Sequence, residues 1–315
     1  MNYNKVPGAR VGADDKYDKD SIEMKSSNAY KLVLGTVQFG LNYGIANSVG
    51  KPSDDEVNSI LTVCSKFKVR YLDTAADYGD SENRIGTLAQ KENSFDVITK
   101  FSKAPGITWK QSLLNSIANL KGQRINTILF HSHHDYIKKI GELDEIVETL
   151  QRYSIDNLGV SVYTNAEAES LLDDPRIGAV QLPFNLFDNR VLSGATIKAL
   201  KNNGKKIFTR SVFLQGLFFM SPADLPEKLM PLAGALNEVG KLAREFGLDP
   251  GEMALRYCIM QPEIDGVLIG VDNSSQLKQN LNWLRNPLPH ELTERIEAIG
   301  IENTELLNPA NWNIR

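Results

Sequence analysis

Residues 54–79 read DDEVNSILTVCSKFKVRYLDTAADYG. After the polar Asp54-Asp55-Glu56, the apolar residues Val57, Ile60, Leu61, Cys64 and Phe67 recur at helical spacing. The period then changes: 69–73 reads as a short strand ending on Asp73, and Tyr78 follows in the next loop. A helix feeding a strand is the unit of a parallel α/β fold. The unit recurs outward in both directions, with strands predicted at 31–36, 69–73, 96–100, 126–131, 156–161, 178–182, 206–211 and 266–270. Eight such strands close a parallel barrel, so the predicted fold is an α/β (β/α)8 TIM barrel. Helices are expected around Leu113, Leu114, Ile117 and Leu120, and around Leu143, Ile146, Val147 and Leu150. Asp249-Pro250-Gly251-Glu252 reads as a helix start capped by Asp249. Residues 212–248 exceed what one connection needs, which predicts an inserted loop or helix over the barrel mouth.

The chain has 315 residues, long for an ordinary domain and normal for such a barrel. Residues 1–29 are polar and charge-mixed and read as a mobile extension; 30–315 read as one catalytic barrel. A net charge of -4 gives no pull toward nucleic acid or an anionic membrane. No apolar run approaches the roughly 20 residues that span a bilayer, and the start lacks a signal-peptide core. Cys64 and Cys258 read as buried free thiols in a reducing compartment, so the expected location is cytoplasmic.

Four proton-handling side chains fall at strand ends or just beyond: Asp73, Tyr78, Lys100 and His131. Active sites of such barrels are built there. A free tyrosine titrates near 10, about three units too high for an efficient acid at neutral pH, and a nearby ammonium lowers that value. Lys100 supplies the charge in this reading, Asp73 pairs with it, and neutral His131 polarises a carbonyl. The set suits hydride delivery to an aldehyde or ketone, or the reverse oxidation.

The order and spacing of these motifs resemble the aldo-keto reductase family from about Leu32 to Leu284. The resemblance runs through Leu34-Gly35-Thr36-Val37-Gln38-Phe39-Gly40, the Asp73–Tyr78 block, Lys100 and His131. It continues in Leu158-Gly159-Val160-Ser161, in Gln181-Leu182-Pro183-Phe184-Asn185, and from Gly270 to Asn280. It implies that Asp73, Tyr78, Lys100 and His131 form a catalytic tetrad with tyrosine as the acid. It also implies a nicotinamide cofactor held by Gly35, Thr36, Ser161, Gln181, Arg210, Ser211, Gly216, Gly270, Gln276 and Asn280. Ser161 and Gln181 match the positions that hold the carboxamide. Arg210 falls where many members place an aromatic ring on the nicotinamide, and a guanidinium also stacks.

Two departures matter. Val162 stands where many relatives have asparagine. At the adenosine end the usual lysine and arginine for the 2′-phosphate are absent, and Asp272 stands where a variant pattern often has serine. NADP(H), the family default, is placed only slightly ahead of NAD(H). A bacterial branch of similar sequence is linked with sugar and polysaccharide metabolism. A hydroxylated, sugar-like carbonyl is therefore the expected substrate class, with Asn42, Tyr43, Phe184, His133 and His134 as candidate wall residues.

Other readings compete. Asp73 and Lys100 alone would make a plain ion pair. His131 and His133 form an H-x-H that strand alternation would place on one side, yet no third ligand has the right spacing, so no metal is expected. Trp109 and Trp283 read as packing, and Trp312 as a tail residue that could close over the mouth. The whole protein could instead be a cofactor-binding regulator with little turnover, or a Schiff-base aldolase using Lys100. The expected partner is a small carbonyl or alcohol; the sequence assigns no oligomeric state.

Overall fold

A computed structural model of the chain describes residues 29–45, 47, 49–89, 94–189 and 195–312. Of the extension read at 1–29, residues 1–28 lie outside them, while Ala29 opens the turn Ala29–Lys31 and is buried. Eight strands form where the β-branched runs fall: β1 Leu32–Gly35, β2 Tyr71–Asp73, β3 Asp96–Lys100, β4 Arg124–Phe130, β5 Asn157–Ser161, β6 Ala179–Pro183, β7 Lys206–Arg210 and β8 Gly266–Gly270. Each pairs in parallel with its neighbour, and β8 pairs with β1, closing the barrel. The register aligns the carboxyl ends: Gly35 faces Asp73 and Gly270, and Ser161 faces Gln181.

Alternation along the strands divides the core in two. The inward layer holds Val33, Ile98, Leu129, Ala179, Phe208 and Leu268, with Tyr71 packed against it. Gly159 completes that layer because no side chain fits: a Cβ there would lie 2.5 Å from Leu129 Cδ2 and 2.4 Å from the Ala179 carbonyl oxygen. The outward residues of the strands pack under the helices in the larger cluster. The helix Asp54–Lys66 buries Val57, Ile60, Leu61, Val63 and Cys64, and Ser53 caps it by accepting from Glu56 N. Both cysteines are buried free thiols, and burial raises their pKa values, that of Cys64 to about 12.

The 212–248 stretch carries three short 3-10 turns and the helix Ala233–Glu245. The helix Pro250–Ile259 begins where expected with proline in its first turn, but the Asp249 side chain makes no capping bond. Trp312 does not close over the mouth. It is 2% exposed in the core and donates from Nε1 to the Leu306 carbonyl at 2.8 Å. Among the described residues no helix is long and apolar enough to cross a membrane.

Candidate active site

Two residues beyond the inward core layer, the same face of each strand reaches the barrel mouth. The residues there are Gly35, Asp73, Lys100, His131, Ser161, Gln181, Arg210 and Gly270, one from each strand end. All eight line a single cavity of about 460 Å³, within the size range of cofactor and substrate sites. The period-2 pattern that packs the core therefore also delivers the site.

Asp73 and Lys100 are 3% and 2% exposed, and Lys100 Nζ lies 2.7 Å from Asp73 Oδ1. The ammonium also donates to the Thr74 carbonyl at 2.8 Å. The second oxygen of Asp73 accepts from Gln181 Nε2 at 2.7 Å, and Thr36 donates to the Asp73 carbonyl from both N and Oγ1 at 2.9 Å. Thr36 lines the cavity, yet its hydroxyl is turned inward to Asp73 and to Ser81.

Tyr78 stands over this pair, its ring centroid 5.0 Å from Lys100 Nζ and 5.9 Å from the His131 ring, edge to face. Burial pushes the Tyr78 pKa up, the Asp73 charge adds to the rise, and Arg210 opposes it. The expectation that Lys100 would lower the tyrosine's pKa does not hold here: its ammonium is committed to Asp73 and the Thr74 carbonyl. Burial also lowers the pKa of Lys100 itself, against the opposing pull of Asp73. His131 is driven down to about 3, by burial first and then by Lys100 and Lys103, with Asp77 opposing. Its ring is therefore neutral at working pH. Its Nδ1 sits 3.6 Å from Asp77 Oδ2, too far for a hydrogen bond. Asp77 instead binds Ser102 Oγ at 2.5 Å and Lys103 N at 2.8 Å.

Arg210 stacks on the Tyr163 ring, 4.2 Å from Cζ to centroid, and Nη2 donates to the Val162 carbonyl at 3.1 Å. Ser211 and Gln215 hold positive φ, 67° and 55°, and Gly216 has φ 97°. Strain of this kind concentrates at functional loops. Gln215 ties that loop to the first one, its carbonyl accepting from Ile45 N at 3.1 Å and its amide reaching Tyr43 Oη at 3.2 Å. Gln276 and Asn280 line the far end of the cavity, with Asp272, Gln279 and Trp283.

Some expected wall residues lie elsewhere. Phe184 is buried in the outer core against Tyr257, centroids 5.5 Å apart. Ser132 caps a short helix, His133–Ile137, which turns His133 to Ser170 Oγ at 2.8 Å. Neither His133, His134 nor Asn42 lines the cavity. The H-x-H is broken in the same way, and among the described residues no group of three His, Cys, Asp or Glu is set to hold a metal. Several cavity residues were unassigned in the sequence, among them Gln38, Tyr163, Phe219 and Gln279. Gln38 is inside the quoted Leu34–Gly40 stretch, 9% exposed against Gly270, and its Oε1 has no hydrogen-bond partner. That orphan acceptor, the strained Ser211–Gly216 loop and the inward ring fit an elongated polar ligand such as a dinucleotide.

The fold and site define the class: an eight-stranded barrel with an acid–base cluster at the carboxyl ends of its strands. The chain belongs to the aldo-keto reductase family, whose Aldo/keto reductase family model matches residues 31–301. Members of that family are NAD(P)-dependent oxidoreductases. The protein Tas of Escherichia coli strain K12 is 38% identical over 184 residues, which cover 52% of this chain and 53% of Tas. Tas of Shigella flexneri matches equally. The chain spans about half the length of these curated relatives. An aldo-keto reductase of Bacillus halodurans in its holo form superposes with a TM-score of 0.67 at 19% identity, over 86% of this chain and 92% of that one. A Pseudomonas aeruginosa protein assigned to the aldo-keto reductases gives 0.58 at 20% identity, over 81% and 89%. At these identities the two structures speak for the fold.

Proposed function

We propose that this chain reduces an aldehyde or ketone to its alcohol with a nicotinamide dinucleotide, Tyr78 being the proton donor. The observation that carries this reading is Tyr78 poised beside a neutral His131 and above the closed Lys100–Asp73 pair, at the mouth of a dinucleotide-sized cleft. A bound reduced nicotinamide supplies the hydride. His131 holds the substrate oxygen as a neutral donor, and Tyr78 gives its phenolic proton to that oxygen as the carbon is reduced. Lys100 and Asp73 keep the phenol's surroundings fixed and exclude water. Ser161 and Gln181 orient the carboxamide, Gln181 through the amide N–H that Asp73 does not use, and Arg210 backs the ring.

Because burial and Asp73 raise the Tyr78 pKa, the resting phenol is a protonated, weak acid; it donates because the alkoxide that hydride transfer would leave on the substrate is a stronger base than the phenolate. The reverse oxidation needs the phenolate, so oxidation should gain with rising pH while reduction does not. The cavity wall also carries Tyr43, Tyr163, Phe219, Asn47 and Gln215, an aromatic and amide mixture that suits a hydroxylated, sugar-like carbonyl. The buried thiols fit a cytoplasmic enzyme.

The Schiff-base reading loses ground, since Lys100 Nζ is charge-paired and doubly hydrogen-bonded. Oxidation of NADH and NADPH by a panel of short and hydroxylated aldehydes, in single-turnover and steady-state modes, tests the proposal. Steady turnover that Tyr78→Phe abolishes supports it. One slow turnover with tight dinucleotide binding would mark a regulator instead, and no dinucleotide binding would overturn it.

A further inference from the structure

The cavity has two chemically different ends. Its only lining cations among the described residues, Lys100 and Arg210, belong to the catalytic end. The opposite end opens on the start of the helix Ser274–Trp283. Such a helix start is ordinarily a seat for phosphate, because its first N–H groups lack partners within the helix. Here two of those groups, the amides of Ser274 and Gln276, already have side-chain partners, one of them a carboxylate. Glu56 Oε1 accepts from Ser274 N at 2.6 Å and Asn273 Oδ1 from Gln276 N at 2.9 Å. Gln276 is occupied as well: its Oε1 accepts from Asp272 N at 2.7 Å, and its Nε2 lies 3.5 Å from Asp272 Oδ2. Glu56 belongs to the helix Asp54–Lys66, 218 residues away in sequence. The Asp272 carboxylate is half-buried on the cavity wall.

We infer that this end accepts the free 2′-hydroxyl of NAD(H) and rejects the 2′-phosphate of NADP(H), with Glu56 and Asp272 as the selecting residues. The inference rests on the carbonyl-reductase reading, which puts the nicotinamide at Tyr78 and therefore the adenosine ribose at this end. A ribose diol can donate to Asp272, a recognised way of binding the unphosphorylated cofactor. A phosphate dianion would meet the Asp272 carboxylate on the cavity wall, no lining cation among the described residues, and a helix start whose leading amide is already bound to the Glu56 carboxylate. This reverses the order set by sequence alone, which put NADP(H) slightly ahead. Of the two selecting residues, Asp272 lies in the cofactor-binding stretch and Glu56 lies far outside it in sequence.

Isothermal titration of the purified full chain with NADH and with NADPH, without substrate, tests this. NADH is expected to bind at least about tenfold more tightly. NADPH affinity should rise as salt is added from about 50 to 300 mM, because screening relieves repulsion; a cationic phosphate site would respond in the opposite sense. Glu56→Gln keeps an acceptor for Ser274 N and removes the charge, so NADPH should gain about threefold to tenfold with NADH unchanged. Adding Asp272→Ser should bring the two dinucleotides close to parity. Equal or tighter NADPH binding by the wild type would overturn the selector and leave the reductase reading intact. So would a selectivity unmoved by the double variant. Binding of neither dinucleotide would overturn both.

Discussion

Lys100 Nζ lies 2.7 Å from Asp73 Oδ1 and 5.0 Å from the centroid of the Tyr78 ring, and the pair is almost wholly buried. The ammonium answers the carboxylate before it answers the phenol. Removing it strands a buried charge, which is among the costlier single changes a core can suffer. Lys100→Met is expected to lower stability by about 3–5 kcal/mol in urea unfolding. Lys100→Met with Asp73→Asn should recover a large part of that loss while activity stays absent. If the double variant is no more stable than the single, the pair is not what holds this wall.

Tyr78→Phe keeps the ring over Lys100 and deletes the donor. Turnover should fall about 10²- to 10⁴-fold with dinucleotide affinity changed little. Single-turnover kinetics beside a binding titration separates the two effects.

The raised Tyr78 pKa gives the two directions of reaction different pH profiles. Reduction should hold level from pH 6 to 9, about the range over which the phenol keeps its proton. Alcohol oxidation should rise through that same range and still be rising at its top. A reduction rate that falls with an apparent pKa near 7 would contradict the assignment of the acid.

His131 is held neutral to about pH 3 in the folded chain, against an ordinary value of 6.5. The unfolded chain takes up the proton first, so this group's contribution is complete above pH 6.5 and is lost as pH falls from there toward 3. In His131→Gln the melting temperature should decline less steeply between pH 6.5 and 4 than in the wild type. Matching slopes would show that His131 titrates normally. The activity profile should carry no histidine limb near 6.5.

Gly40 fixes the height of the Tyr78 loop. A Cβ on Gly40 would sit 1.7 Å from the Tyr78 carbonyl oxygen, and that atom is backbone that cannot swing aside. Gly40→Ala should cost at least about 1–3 kcal/mol and impair catalysis beyond the loss of stability, since the phenol moves with its loop. Thermal unfolding and kcat of the folded fraction report the two parts.

Much of this protein is written in local sequence periods. The strands lie where the β-branched runs are, and their alternation carries Asp73, Lys100, Gln181 and Arg210 onto the face that Tyr71, Ile98, Ala179 and Phe208 bury. Read one step further, the same alternation turns Leu182 and Phe184 outward, so the misplacement of Phe184 was correctable from sequence. Ser132 and Asp135 likewise marked a helix start that ends the strand before His133. The ring of eight strand-end residues follows from a period of two and a strand count of eight, both local properties summed along the chain. Other features were decided only when distant segments met. Gln181 reaches Asp73 across 108 residues, and Arg210 finds Tyr163 and the Val162 carbonyl. Burial drives the His131 pKa down, and Glu56 arrives at the Ser274 amide from 218 residues away in sequence. Those contacts set protonation states and charge at the two ends of the cleft. Electrostatics depends on distance and burial in space, which residue order does not carry.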